Sequence, residues 1–305
     1  MNTPSPTVTP AQSIARLVSL LDVESLGDDR FRGHSTEAGW QRVYGGQVIS
    51  QALMAASKTV PLSRPAHSLH AYFMRAGDPK EPIVYRVERD RDGSSFSSRR
   101  VVALQYGKPI FNMAASFQIE EAGLEHAASM PDAIGPEGLL NELEQHLANA
   151  DRIPEAKREL WISRDRPIEF RAVDPYNPFE PSAKLPQAQH WLRTAAPLPP
   201  LPANAPAGTL AVLSRCLLAY ASDMTLLDTC LLPHAIAWTD KQLQAASLDH
   251  SMWFHRTPDL TAWHLMSQDS PCASGGRGLN RGLIHAADGT LVATVMQEGL
   301  IRYHR

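Results

Sequence analysis

Cysteine is scarce in this chain. Cys216, Cys230 and Cys272 stand alone, with no CxxC spacing. That argues against a disulfide framework and against a structural zinc site, and it fits a reducing compartment. Neither sign of charge is in excess. The net charge is −3 over 305 residues, so neither a basic nucleic-acid face nor an acidic tail is expected. No apolar run approaches the ~20 residues that cross a bilayer. The opening MNTPSPTVTPAQ lacks the basic and apolar regions of a signal peptide, and residues 1–14 read as a short disordered tail. The final RYHR is not a peroxisomal tripeptide. A soluble, cytoplasmic protein is the expectation.

Several catalytic signatures are missing too. There is no GxSxG elbow, no HExxH and no GxGxxG following a strand. GGRGLNRG at 275–282 is glycine-rich, but its place is the entry to a strand. With 43% hydrophobic residues the chain can bury one large or two medium cores.

What is present is a repeat. LHAYFMR at 69–75 and HSMWFHR at 250–256 match at an aromatic, at Phe73 over Phe254, and at Arg75 over Arg256, 181 positions apart. Looking outward for further copies of the pattern, Phe31-Arg32 is echoed by Phe170-Arg171, and Trp40-x-Arg42 by Trp191-x-Arg193. SQALMAASKT at 50–59 aligns without a gap to SRCLLAYASD at 214–223. Downstream, Arg99 answers to Arg277 and Gln118 to Gln297. The order is the same in both series, which implies two copies of one fold. The spacing divides the chain into an N-terminal copy over 15–120, a linker with a helical insert over 121–164, and a C-terminal copy over 165–305. Of the 24 prolines, 13 lie between Pro131 and Pro206, a density that suits connections. Within the linker, GPEGLLNELEQHLAN at 136–150 predicts a helix with Leu139, Leu140, Leu143 and Leu147 on one face.

Each copy predicts a short strand, a helix and four strands. The first helix, about 45–60, is small or apolar almost all round, so it belongs in the interior. Strands follow at 67–76, 82–90, 97–105 and 109–118. The second helix, about 208–223, has Leu210, Leu213, Leu217, Tyr220 and Met224 at helical spacing. Its strands fall near 245–256, 260–269, 277–286 and 290–302, with Asp288-Gly289 turning the last hairpin. The fold class is therefore α+β. A long buried helix wrapped by an antiparallel sheet is a hotdog fold, and two in tandem make a pseudo-dimer within one chain.

With VYGGQVISQAL, HSLHAYFMRAGD, LLAYASDMTLL, LDHSMWFHR and VMQEGLIR in view, the chain resembles the acyl-CoA thioesterase II family of double-hotdog enzymes from about residue 15 to its end. The resemblance implies hydrolysis of fatty acyl-CoA to free acid and CoA. It also implies a water-holding Asp–Thr–Gln constellation, falling on Asp223, Ser247 and Gln297. Ser247 departs from the pattern: it keeps the hydroxyl but lacks the methyl that stiffens Thr. No cofactor and no metal are implied. The partners implied are an acyl-CoA substrate and further copies of the chain, as a dimer or tetramer, with no nucleic acid and no membrane insertion.

Thioester chemistry suits these residue types. The carbonyl is electrophilic enough for a water activated by a general base, an effect worth roughly 10²–10⁴-fold. Asp223 can be that base, with Gln297 and Ser247 fixing the water or the Asp. The repeat aligns Asp223 with Thr59, so symmetry is broken where the charge sits. By pattern alone, an Asp at a helix end also reads as a cap, Gln297 as an outward strand residue and Ser247 as a surface hydroxyl. Tyr44-Gly45-Gly46-Gln47 opens the first helix and is the expected source of N–H donors for an oxyanion. His250, His255 and His264, at spacings of 5 and 9, do not share one strand face as metal ligands would, and read as core or edge residues. Arg99, Arg100, Arg277 and Arg281 are candidates for CoA phosphates or for a solvated strand edge. Two other readings stay open: a non-catalytic acyl-CoA-binding protein, and an enoyl-thioester hydratase, which would place a histidine at a helix opening.

Overall fold

The structure, a computed structural model, describes residues 8–36 and 42–304. The tandem arrangement is visible in one continuous sheet. Its strands are β1 (Glu24–Gly27), β2 (Arg30–Gly33), β3 (Ala66–Phe73), β4 (Ile83–Asp92), β5 (Phe96–Gln105), β6 (Lys108–Gln118), β7 (Ile168–Ala172), β8 (Gln187–Thr194), β9 (Leu243–Ser247), β10 (Asp249–Phe254), β11 (His264–Ser274), β12 (Arg277–Ala286) and β13 (Leu291–Tyr303). Their order is β1-β2-β4-β5-β6-β3-β10-β13-β12-β11-β8-β7, with β9 joining β13. Read from the middle outward, both halves repeat one order. The middle is the pair of strands that match in sequence. His70 on β3 is opposite Ser251 on β10, and these two are repeat equivalents at the offset of 181. A pseudo-twofold axis therefore runs through that pair.

The register also corrects three of the sequence matches. Phe31 and Arg32 lie on β2, whose counterpart in the strand order is β8, so they do not answer to Phe170 and Arg171 on β7. Arg99 lies opposite Ala115, and Ala115 opposite Leu69. In the other half Asn280 lies opposite Gln297, one step along from Met296, the partner of Ser251. Arg99 thus corresponds to Asn280, and Gln297 to Ala115, in place of Arg277 and Gln118. Trp40, part of another match, lies outside the described residues.

The two long helices, α2 (Gly45–Ser57) and α5 (Thr209–Ser222), follow α1 (Pro10–Leu21) into the interior. Small side chains let them touch: Ser50 Oγ donates to the Cys216 carbonyl at 2.8 Å. They run antiparallel, so the start of α2 meets the end of α5. Tyr44 Oη there donates to the Tyr220 carbonyl at 2.7 Å. α1 starts at Pro10 with a Thr9–Gln12 capping box and buries Ile14, Leu17 and Leu21. Residues 10–14, read from sequence as tail, belong to this helix. From Thr209 to His234 the chain is helical and apolar enough, by length and composition, to cross a bilayer, contrary to the reading of the bare sequence. Most of that stretch is buried inside the protein, as a core helix should be.

The linker holds two helices, α3 (Glu142–Ala148) and α4 (Glu155–Ser163). The first starts six residues later than its leucine pattern predicts, because Asn141 caps it through the Glu144 amide. Leu140 and Leu147 remain exposed, so the leucine face is not a core face. The strand expected at 245–256 is broken at Leu248 into β9 and β10, and this break sets the site.

Candidate active site

Four side chains from four elements converge where α5 ends. Asp223 is the C-cap of α5. Ser247 ends β9, Gln297 is on β13, and His250 is on β10. The Gln297 Nε2 amide donates to Asp223 Oδ1 at 2.5 Å and to Ser247 Oγ at 3.0 Å. It also lies 3.4 Å from His250 Nδ1. The three residues singled out in the sequence therefore meet, although 24 and 50 positions separate them along the chain. The pieces come together because β9 and β10 both pair with the edge of β13 that faces away from β12, β10 along Ala293–Met296 and β9 along Gly299–Tyr303.

Asp223 and Ser247 line a cavity of about 1090 Å³. Val48, Phe73, Phe111, Met224, Leu227 and Leu231 give it apolar walls, while Arg42, Arg75 and Lys157 contribute exposed basic groups. The central helices reach it only at their ends. Much of the remaining wall is the linker insert, through Glu142, His146, Trp161 and Arg164. Gln297 has no exposed surface and stands behind Asp223 and Ser247.

Burial dominates the electrostatics. It pushes the Asp223 carboxyl up to about 6, against two hydrogen bonds, from Gln297 and from the Gly46 backbone N–H, that pull it down. Gly46 opens α2 in the other copy, so the positive end of that helix faces this carboxylate. The approach is close. A Cβ on Gly45 would stand 2.6 Å from Asp223 Oδ2, and one on Gly46 2.5 Å from the Tyr220 carbonyl oxygen. The centre is therefore built at the seam of both copies. The glycine loop expected to serve an oxyanion spends one of its donors on Asp223.

Other sequence candidates fall elsewhere. Arg99 is buried and donates to Thr59 Oγ1 at 2.8 Å and to Asp92 at 2.7 Å. Arg100, Arg277 and Arg281 pair with Glu88 and Asp90, with Glu298, and with Asp269. None of the four lines the cavity. His255 is exposed and contacts Thr294, and His264 is buried against the Ala262 carbonyl. His250 is the surprise. It has no exposed surface, lies 3.9 Å from Asp223 Oδ1, and burial lowers its basicity to about 3. Strand spacing gave no hint of it, because its partners come from other elements. Among the described residues no cluster of metal-ligating side chains occurs. A second carboxyl, Asp228, lines the cavity, and burial raises it to about 7.

Comparison with known proteins places this geometry in context. Residues 164–300 match a family model described as acyl-CoA thioesterase, and residues 36–118 one described as acyl-CoA thioesterase N-terminal domain. Acyl-CoA thioesterase 2 of Haemophilus influenzae is 42% identical, over 94% of this chain and 97% of its own length. Human acyl-coenzyme A thioesterase 8 is 40% identical, over 94% of this chain and 88% of its own. The crystal structure of the acyl-CoA thioesterase II TesB2 from Mycobacterium marinum superposes with a TM-score of 0.72 at 40% identity, covering 93% of this chain and 97% of that one.

Proposed function

Because the chain belongs to the acyl-CoA thioesterase family, we propose that it hydrolyses fatty acyl-CoA thioesters by direct attack of a water that Asp223 deprotonates. The observation that carries this reading is the Gln297 amide, which holds Asp223 and Ser247 together at the cavity wall. Ser247 Oγ fixes the water and Gln297 aims the base. Asp223 takes a proton as the water oxygen bonds to the thioester carbon. The tetrahedral intermediate then expels the thiolate, the C–S bond breaks, and the Asp223 proton passes to sulfur. Free acid and CoA leave. The first turn of α2, which has no side-chain cap, supplies N–H donors and a favourable dipole for the oxyanion.

The exposed Arg42, Arg75 and Lys157 are assigned to the phosphates of CoA, in place of the paired arginines. Arg75→Gln is expected to raise KM several-fold and leave kcat within about twofold, since a phosphate contact is equally strong in ground and transition states. The acyl chain takes the apolar walls. Three free thiols support a reducing, cytoplasmic setting, and the exposed sheet ends support assembly into dimers or tetramers.

The decisive measurement follows CoA and free acid together before steady state, with acyl-CoAs from acetyl to stearoyl. Direct attack releases both at one rate. A burst of CoA ahead of acid marks an acyl-enzyme and overturns the direct-water route. Gln297→Ala should slow both by about 100-fold through loss of alignment. Silence across the whole series, with acyl-CoA still binding, favours the non-catalytic reading. The hydratase reading is disfavoured by His250. It does stand near the opening of α2, as that reading requires, but it is sealed from the cavity.

A further inference from the structure

We infer that His250 is a positioning residue for hydrolysis, holding the Gln297 amide in the one orientation that donates to Asp223. The inference rests on the proposed roles of Asp223 and Gln297. Its basis is a chain of hydrogen bonds whose direction is fixed at one end. Ser222 Oγ donates to the Ala219 carbonyl at 3.0 Å. Having given its proton there, it must accept from His250 Nε2, 3.0 Å away. A neutral imidazole that donates through Nε2 has a lone pair on Nδ1. That lone pair faces Gln297 Nε2 at 3.4 Å. The amide nitrogen then looks at three acceptors: His250 Nδ1, Ser247 Oγ and Asp223 Oδ1.

Turning the amide over would set its oxygen against the imidazole lone pair and the carboxylate together. A fully buried group with mismatched partners is costly, so the flip is suppressed. Without the imidazole, one of the two repulsions disappears. Gln297 Oε1 is buried with no protein partner, so nothing on that side of the amide holds it. His250 therefore supplies restraint that the oxygen side lacks.

The repeat provides an independent line. Leu69, the equivalent of His250, is a fully buried core residue, and Ala115 stands where Gln297 does. The fold at this position needs only an apolar side chain. A histidine occurs in the half that has the Asp and the Gln. The charged and titratable groups around it are Asp223 at the end of α5 and, beyond Asp223, Tyr44, Tyr220 and Arg164; across the β3–β10 pair it meets Ala71, while His70 lies on the other face of the sheet against Ser251 and Trp253.

The test compares His250→Phe, His250→Asn and Ser222→Ala with wild type and with Asp223→Asn, reading kcat, KM and the pH profile of kcat/KM. His250→Phe should lose about 30-fold in kcat, with KM within about twofold, because only alignment is disturbed. Its acid limb should also move to higher pH, since a freed amide no longer donates steadily to Asp223. His250→Asn, which can present an oxygen to the amide, should recover part of both. Ser222→Ala, a small change that tests the same chain if His250→Phe fails to fold, should lose about threefold in kcat by releasing the tautomer. The inference is overturned if folded His250→Phe has a wild-type kcat or an unmoved acid limb, or, where only Ser222→Ala folds, if that variant matches wild type. Full activity in Asp223→Asn would instead sink the catalytic reading itself.

Discussion

Asp223→Asn is expected to melt higher than wild type above pH 6 while hydrolysing acyl-CoA at least about 100-fold more slowly. Both effects come from one buried carboxyl. Folding raises it from 3.8 to about 6. Between those values the folded state holds more protons than the unfolded one, so stability falls as pH rises through that window. A rise of about two units corresponds to about 3 kcal/mol, present below pH 4 and lost above pH 6. Asparagine carries no charge to desolvate. Its melting curve should lie on the order of 3 °C above wild type at pH 8 and meet it near pH 4, after allowing for weakened bonds to Gly46 and Gln297. Calorimetry at the two pH values checks the sign. In the wild type, kcat/KM should fall below about pH 6 as Asp223 takes up its proton. Equal melting at pH 8 would mean that the carboxyl is not desolvated as described.

Gly46→Ala should be the most damaging single methyl in the site. The added carbon would stand 2.5 Å from the Tyr220 carbonyl and 2.6 Å from the Tyr44 ring. A backbone oxygen cannot turn aside, so the start of α2 must retreat from the end of α5. That withdraws an N–H from Asp223 and moves the helix dipole away from it. A displacement near 1 Å in such a site costs on the order of 100-fold in rate. The acid limb should also shift to higher pH, because a bond that lowers the carboxyl is lost. Overpacking adds a stability loss of about 1–3 kcal/mol. Parallel measurement of melting temperature and kcat separates the two. A variant with wild-type kcat would show that the two helices do not need this contact for chemistry.

Much of the fold is legible in the residues. The β12 strand falls on 277–286 as its pattern indicates, and most other strands within a few residues. Alternation and turn glycines report on the strand that contains them, so local signals suffice there. The break at Leu248 was not legible. It depends on Leu248 N–H reaching the Glu298 carbonyl and Phe73 N–H reaching the Leu248 carbonyl, which are contacts between distant segments. The same limit hid His250. Nothing in DHSMWFH marks one histidine as facing α5 and β13. Asp223, Ser247 and Gln297 were reachable only through family resemblance, since each type is common at a helix end, a strand end or a strand face. Arg99 misled because it is conspicuous in sequence, while its guanidinium is consumed by Thr59 and Asp92. The two glycines opening α2 were noticed, but their use, to let one copy touch the base of the other, needed the packing.

The pairing of His70 with Ser251 has a wider consequence. When two identical subunits meet on a true twofold axis, every substitution appears on both sides of it. A residue too costly at one seat is then barred from the other. Fusion into one chain lifts that constraint. Here the seat that corresponds to the proposed catalytic one has Thr59, Leu69, Arg99 and Ala115, an arginine-anchored core with no buried carboxylate. The destabilising charge at Asp223 is thus incurred once per chain, and its mirror position is free to strengthen the scaffold. An Arg99 variant should accordingly be felt in melting temperature and leave the chemistry of the opposite seat intact.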